Sequence, residues 1–552
     1  MSEYLLQHGS RQTPQTEPMR PDQVENSSGG FVWEIDKWGR LGRFLLLGSE
    51  GPTYYSTEKA ATLENIQCVR ECIREDGQRL VREVVQISQA GRAPKNDPAL
   101  YALAAAISLG DKQTKRAAAE ALPLVARIGT HLYHFVAYAE TMRGWGRTMR
   151  WAVSNWYAQN PEQLAYQAVK YRSRDGWSHR DLLRLAHPKN DSEHNAIFDW
   201  ICHGAGSRFS SSTEDSWVVS KQEIINGFEG AQRSQSAKQT AALVRQYNLP
   251  REALLSEHLN DVVVWEALLE SKMPMNAMVR NLATMTRNGV LDSREHLDIV
   301  LGALGSQEAI KKSRLHPMAL LIGLRTYASG HGFRGSNTWA PKADVIDALD
   351  AAFYISFDFV EPTGKSHLLA IDISGSMDSG YVAGSNLTPR EAAAAMALVT
   401  LHAEEDVEVV GFHAGPGGLD FGQSKRWAHY SLRDALTPIG LSRRQRLDDV
   451  IRVMQDLPMG GTDCALPFLY ATQLGKRYEA FVTYSDSETW AGEIHPKQAL
   501  DQYRQTSGIN AKSIVVGLVS NGFTIADPND GGQLDVVGFD AAAPAVMADF
   551  IR

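Results

Sequence analysis

Leu368-Leu-Ala-Ile-Asp-Ile-Ser-Gly-Ser-Met377 decides how this chain is read. The apolar run 368–371 predicts a buried strand, and Asp372, Ser374 and Ser376 follow it at every second position. A carboxylate and two hydroxyls at a strand's end make an oxygen-lined cup, which suits a hard divalent cation. Short Asp/Ser/Gly runs also cap helices and build plain turns, so the cup needs ligands from elsewhere. Two downstream stretches offer them. Gly460-Gly-Thr-Asp463 places the Thr462 hydroxyl in a glycine-flanked loop, and Phe481-Val-Thr-Tyr-Ser-Asp486 is a strand ending on Asp486. This mix, with more hydroxyls than carboxylates, is a weak cage for calcium but fits magnesium, which keeps part of its water shell. An ion held this way stays electrophilic and can accept an unidentified acidic ligand from a partner. The set therefore reads as a docking point. No general base or nucleophile pair accompanies it, which disfavours an enzyme, a metal hydrolase included.

Downstream of residue 364, strand-like and helix-like stretches alternate: strands at 368–371, 407–412, 480–485 and 512–519, and helices at 389–403, 443–456, 465–474, 495–506 and 540–551. That alternation predicts an α/β domain with a parallel, doubly wound sheet, whose ligands sit at the strands' C-terminal ends. Upstream, from Thr57 to Ala352, apolar residues recur at helical spacing, as in Leu63, Ile66, Val69 and Ile73. Breakers such as Gly91-Arg-Ala-Pro94 and Asn248-Leu-Pro250 separate the runs. So long a helical text exceeds one bundle and predicts stacked pairs of the HEAT type. The expected fold class is multidomain: a flexible N-terminal arm over 1–30, all-α HEAT-like repeats over 31–363, and the α/β domain over 364–552.

The composition is that of a soluble protein, with 43% hydrophobic and 22% charged residues and a net charge of -8. An acidic balance argues against a generally basic nucleic-acid coat but leaves room for local basic patches. Cys68, Cys72, Cys202 and Cys464 do not form a disulfide framework and are expected as buried, reduced thiols. With no signal peptide and no apolar run of about 20 residues, a cytoplasmic monomer without membrane contact is expected.

One stretch reverses the charge. Residues 143–189 carry Arg143, Arg147, Arg150, Lys170, Arg172, Arg174, Arg180, Arg184 and Lys189 against Glu162, Asp175 and Asp181. Ser178 with Asp181 reads as a capping box. On the helix that follows, Arg180, Arg184 and His187 fall within about 60° of one another, opposite Leu182, Leu185 and Ala186. Guanidinium forks match phosphate oxygens, and Trp145, Tyr171, Trp177 and His187 can stack on unpaired bases. The plainer alternative is a solvated face over core tryptophans.

Asp372, Ser374, Ser376, Thr462 and Asp486 together resemble the metal-ion-dependent adhesion site (MIDAS) of von Willebrand factor A domains. A wider resemblance covers nearly the whole chain after the arm. It runs through Gly48-Ser-Glu-Gly51 with Thr53-Tyr-Tyr55, Lys170-Tyr-Arg-Ser-Arg-Asp-Gly-Trp-Ser-His179, Gly330-His-Gly-Phe-Arg-Gly335, Gly460-Gly-Thr-Asp-Cys464 and Ser520-Asn-Gly-Phe-Thr524. In these residues the chain resembles the Ro 60 kDa autoantigen and its bacterial Ro-like relatives. The resemblance implies a TROVE module, a closed ring of HEAT-like repeats, joined to a von Willebrand factor A domain. It also implies Y RNA bound on an outer basic surface, carried over to Lys170, Arg174 and His187; Arg172, Arg180 and Arg184 join them from the helical face. Misfolded noncoding RNAs with single-stranded 3′ ends in the ring's hole, and a 3′ exoribonuclease tethered through RNA, are further implied partners. The competing reading is a metal-dependent protein-adhesion module whose helical half is a scaffold without an RNA role.

Overall fold

The computed structural model describes residues 12–48, 58–158, 160–189, 192–204, 223–332, 337–357, 361–379, 381–382, 387–413, 436–443, 445–455, 457, 460–519, 522–539 and 542–552. The resemblance motifs at 48–55, 330–335 and 520–524 lie partly outside these residues.

From residue 12 onward the N-terminal segment is not the flexible arm expected over 1–30. Strand β1 (Val24–Glu25) pairs antiparallel with β2 (Phe31–Glu34), and β2 pairs with Phe523–Thr524 in the C-terminal domain. Gln15, Gln23, Asn26, Val32 and Trp33 are buried there. Polar composition suggested an arm because its partners are non-local: backbone groups and carboxylates more than 400 residues away satisfy its amides. Asp36 then caps the helix Lys37–Leu47, accepting from Gly39 N. Within that helix Arg43, 2% exposed, reaches Asp535 with both carboxylate oxygens at 2.8–2.9 Å.

Helices dominate from there to Ala343–Ile355. The helical segment 58–90, kinked at Asp76, and the helices 112–125, 147–157 and 179–186 pack in succession as one layer, and 97–109 with 129–142 begin a second. Alanine-rich faces such as Ala102 to Ala106 let the layers approach closely and bury an unbroken apolar core. Caps punctuate the run: Asp111 accepts from Thr114 N, and Asn160 accepts from Glu162 N ahead of Pro161. His316 Nε2 donates to the Arg92 carbonyl at 2.9 Å, so an early and a late segment of the helical region touch. A small hairpin interrupts the helical text, β3 (Ser173–Arg174) against β4 (Trp177–Ser178), turning at Asp175 and Gly176, both at positive φ.

The α/β domain holds β5 (His367–Asp372), β6 (Val407–Phe412), β7 (Leu436–Pro438), β8 (Ala480–Tyr484), β9 (Lys512–Gly517), β10 (Phe523–Thr524) and β11 (Gln533–Val537). Its central sheet runs β11-β9-β8-β5-β6-β7. The sheet is mixed rather than wholly parallel, because β7 joins the edge antiparallel to β6. Proline cannot donate to a ladder and is tolerated on an edge, which fits Pro438 and explains why so short a strand left no apolar signal. After β5 the chain winds to β6 on one side and later returns to β8 on the other. The topological switch point therefore lies beside β5, at the end that carries Asp372. Among the described residues no helix is long and apolar enough to cross a membrane.

Candidate functional site

Asp372 ends β5, wholly buried, with its two carboxylate oxygens held by different segments. Ser374 N donates to Oδ1 (2.9 Å), and Ser485 Oγ, just past β8, donates to Oδ2 (2.7 Å). Ser374 and Ser376 hydroxyls lie 3.0 Å apart, and Ser376 hydrogen-bonds Asp486. The loop with Thr462 is joined to the same turn where Gly375 N donates to the Gly460 carbonyl (3.4 Å). The structure thus brings together the three segments, and all donors are oxygens.

Burial raises the Asp372 carboxyl, against hydrogen bonds from Ser374 and Ser485 and the charge of Arg390. Burial, with Asp372 and Glu488 nearby, pushes Asp486 up to about 8. Two buried carboxylates this close cannot both ionise cheaply unless a positive charge enters between them. A divalent cation supplies it, so the donor set fits one. Arg390, 1% exposed, stands beneath: its guanidinium donates to the Ile373 carbonyl (2.8 Å) and pairs with Asp378 (2.9 Å), which fixes the turn. Among the described residues no group of three or more His, Cys, Asp or Glu side chains forms a separate metal cluster.

The basic residues fall into two sets. Lys170 ends the helix Pro161–Lys170, with its ammonium 5.4 and 5.3 Å from the ring centroids of Tyr166 and Tyr171. Arg172 lies over the Phe228 ring (5.1 Å), and Arg174 stands on the hairpin, exposed. His134 anchors that hairpin from below, bonding Asp97 at 2.8 Å and approaching Asp175 at 3.7 Å; the Asp97 bond raises the imidazole's pKa. The second set is the next helix, His179–Ala186, opened by a full capping box between Ser178 and Asp181. Arg180, Arg184 and His187 are exposed, while Leu182, Leu183 and Ala186 are buried. His187 takes the left-handed C-cap (φ 46°), which turns it out of the helix. Arg180 and Arg184 have no hydrogen bond or ion pair among the described residues, unlike Arg116 with Glu120 or Arg245 with Glu270.

Of the aromatic residues singled out in the sequence, Trp145 and Trp177 are half-buried against each other, ring centroids 6.0 Å apart. Among the described residues the exposed tryptophan is instead Trp151, 40% accessible and one turn beyond Arg147. The helical spacing of Arg147, Arg150 and Trp151, away from buried Met149, Ala152 and Val153, was the available signal. Three of the four cysteines are buried, and Cys202 is half-buried.

Residues 24–365 match the family model of the TROVE domain, and 366–551 match that of the Ro60 vWA domain. The chain is 40% identical over 545 residues to the RNA-binding protein RO60 of Deinococcus radiodurans, covering 98% of this chain and 97% of that protein. It is 34% identical over 608 residues to the RNA-binding protein RO60 of Caenorhabditis elegans, covering 97% and 91% respectively. The crystal structure of the Deinococcus radiodurans RO (RSR) protein superposes with a TM-score of 0.68 at 39% identity, covering 94% of this chain and 99% of that one.

Proposed function

This chain belongs to the Ro family, a TROVE domain joined to a Ro60-type von Willebrand factor A domain, and on that premise we propose that it is a non-catalytic RNA-binding protein. Its RNA partners are small noncoding Y RNAs on the basic surface of Lys170, Arg172, Arg174, Arg180, Arg184 and His187, and misfolded RNAs with single-stranded 3′ ends. The role is cytoplasmic RNA quality control by a monomer, with the bound RNA tethering a 3′ exoribonuclease. The observation that carries this reading is the helix 179–186, whose exposed arginines keep no acidic partner among the described residues in a protein of net charge -8. Unpaired guanidinium groups on a rigid face favour a polyanion.

Binding is tested by fluorescence anisotropy with a hairpin RNA bearing a single-stranded 3′ tail. Lys170→Ala combined with Arg174→Ala weakens binding and flattens its salt dependence; unchanged affinity and slope remove the assigned surface. An RNA-free chain, seen as an absorbance ratio at 260 and 280 nm of pure protein and no binding to any structured RNA, instead supports the adhesion-module reading.

The cation reading belongs to the same proposal. Asp372, Ser374, Ser376, Thr462 and Asp486 hold Mg2+, which offers an acidic partner group a docking point. The ion supplies electrostatic attraction; the chain supplies the buried, pre-set oxygens around it. Asp372→Ala abolishes Mn2+ binding measured by calorimetry while RNA affinity persists. Retained stoichiometric binding places the ion elsewhere.

A further inference from the structure

We propose that Gln15 is a positioning residue for the candidate cation site, tying the loop that carries Thr462 to the loop that carries Asp486. The proposal rests on the cation reading above and adds to it a coupling between the N-terminal segment and the site.

Gln15 is fully buried. Its Nε2 donates to Asp463 Oδ1 (2.7 Å) and to the Ile494 carbonyl (2.9 Å), and its Oε1 accepts from Thr489 Oγ1. The same Thr489 hydroxyl accepts from Cys464 N at 3.0 Å. One amide therefore touches the neighbour of Thr462 and a residue of the turn that begins at Asp486, with both of its N–H groups and its carbonyl engaged. The main chain repeats the connection: Gln15 N donates to the Gly492 carbonyl (2.9 Å), and Phe31 N donates to the Gln15 carbonyl (2.7 Å). Asn26 adds a second tie, donating to the Thr489 carbonyl at 2.9 Å.

Packing leaves this segment no slack. A Cβ on Gly30 would lie 1.9 Å from the Thr489 carbonyl oxygen. One on Gly492 would lie 2.3 Å from Gln15 Nε2 and 2.5 Å from Asp463 Oδ1. Both glycines are needed for close approach rather than for a turn.

Cation ligands must be held within a few tenths of an ångström, and groups that orient ligand loops are as much part of a site as the ligands. Removing the Gln15 amide leaves Asp463 and Thr489 buried with lost partners, so the two loops lose their common anchor. Gln15 stands upstream of both matched family regions, which begin at residues 24 and 366, so no motif points to it.

The test is Mn2+ titration of the full chain by calorimetry, with the thermal midpoint of the metal-free protein recorded in parallel. Gln15→Ala is expected to weaken Mn2+ binding by about tenfold or more. Thr489→Val, which keeps the side-chain shape but loses the hydroxyl, is expected to do the same, and Thr489→Ser to restore it. A purely structural role lowers the metal-free midpoint and leaves affinity in the folded fraction unchanged, and that outcome overturns the proposal. Absence of Mn2+ binding by the unaltered chain sinks the cation reading itself. Should the variants fail to fold, hydrogen exchange on the unaltered chain decides. Coupling is reciprocal, so Mn2+ slows exchange at the Gln15 and Phe31 amides. Slowing confined to residues 374–376 and 486–488 refutes the tie.

Discussion

Replacing Arg180 and Arg184 together by alanine tests the RNA face where it is least confounded by folding. Both side chains are exposed on the helix His179–Ala186, neither has a partner among the described residues, and Leu182, Leu183 and Ala186 hold the opposite side. Alanine is at least as good a helix former as arginine, so stability should shift by no more than about 0.5 kcal/mol. Each arginine that neutralises a phosphate releases condensed counterions, worth about 0.7 in the slope of log K against log salt for single strands. Removing two flattens the slope by about 1.4. The difference between parent and double variant is then largest at low salt and shrinks by about sevenfold when salt rises from 50 to 200 mM. Anisotropy titrations at four salt concentrations give both slopes, and Arg245→Ala serves as control because Arg245 is engaged by Glu270 at 2.6 Å. Equal slopes for parent and double variant would refute phosphate contact at this face. Equal loss in the Arg245 control would show a diffuse charge effect instead.

Other outcomes follow from single side chains. Trp151→Ala, at an exposed position, should leave folding intact and weaken binding of unpaired RNA segments by about 1–3 kcal/mol, with no change for blunt duplex; anisotropy with both RNAs checks it. Asp535→Ala removes the carboxylate that faces the buried Arg43 guanidinium and should cost about 3–5 kcal/mol, read as a lowered urea midpoint. His179 is 3% exposed, stacks on Trp156 and bonds Tyr157 Oη at 2.7 Å, and burial pushes its pKa down to about 4. The folded state holds this imidazole neutral, so its stability is complete above the unfolded pKa of about 6.5 and is lost as pH falls from there toward 4. Between pH 7 and pH 5 the loss is about 2 kcal/mol, and His179→Gln should remove that share of the pH dependence of urea unfolding.

Much of this was legible because it is local. The change from helical to alternating periodicity near residue 364 marks where strands begin, and β6 occupies the expected 407–412. The helix 389–403 likewise follows from Thr388, Pro389 and Glu391, a capping box with proline in the first turn. The two carboxylates of the proposed cup, Asp372 and Asp486, lie at or just past the ends of β5 and β8, where period and chemistry coincide. What escaped has its cause elsewhere in the chain. β11 reads as a polar stretch, Gln533-Leu-Asp-Val-Val537, and becomes a strand because β9 offers a parallel edge. β7 forms because β6 does. The segment 12–34 has the composition of a tail, and its order comes from Asp463, Thr489, Gly492 and Phe523, none of which a local window contains.

That segment also changes what counts as a domain. From residue 12 the chain lies against the α/β half, adds β2 beside β10, and then enters the helical half through the helix Lys37–Leu47, whose Arg43 grips Asp535 on β11. Arg92 belongs to the same seam: its carbonyl accepts from His316, far along the helical region, and its guanidinium reaches the Val537 carbonyl at 3.5 Å. The connection at 364 is therefore one of several crossings between the halves, and others are ion pairs and hydrogen bonds rather than a linker. A cut at residue 364 would take from the α/β half its β2 partner, the Gln15 anchor and the Arg43 counter-charge at once. The basic helical face and the oxygen-lined cup are thus held on one framework, so the two docking points proposed above would keep a fixed relation without the halves having to find each other.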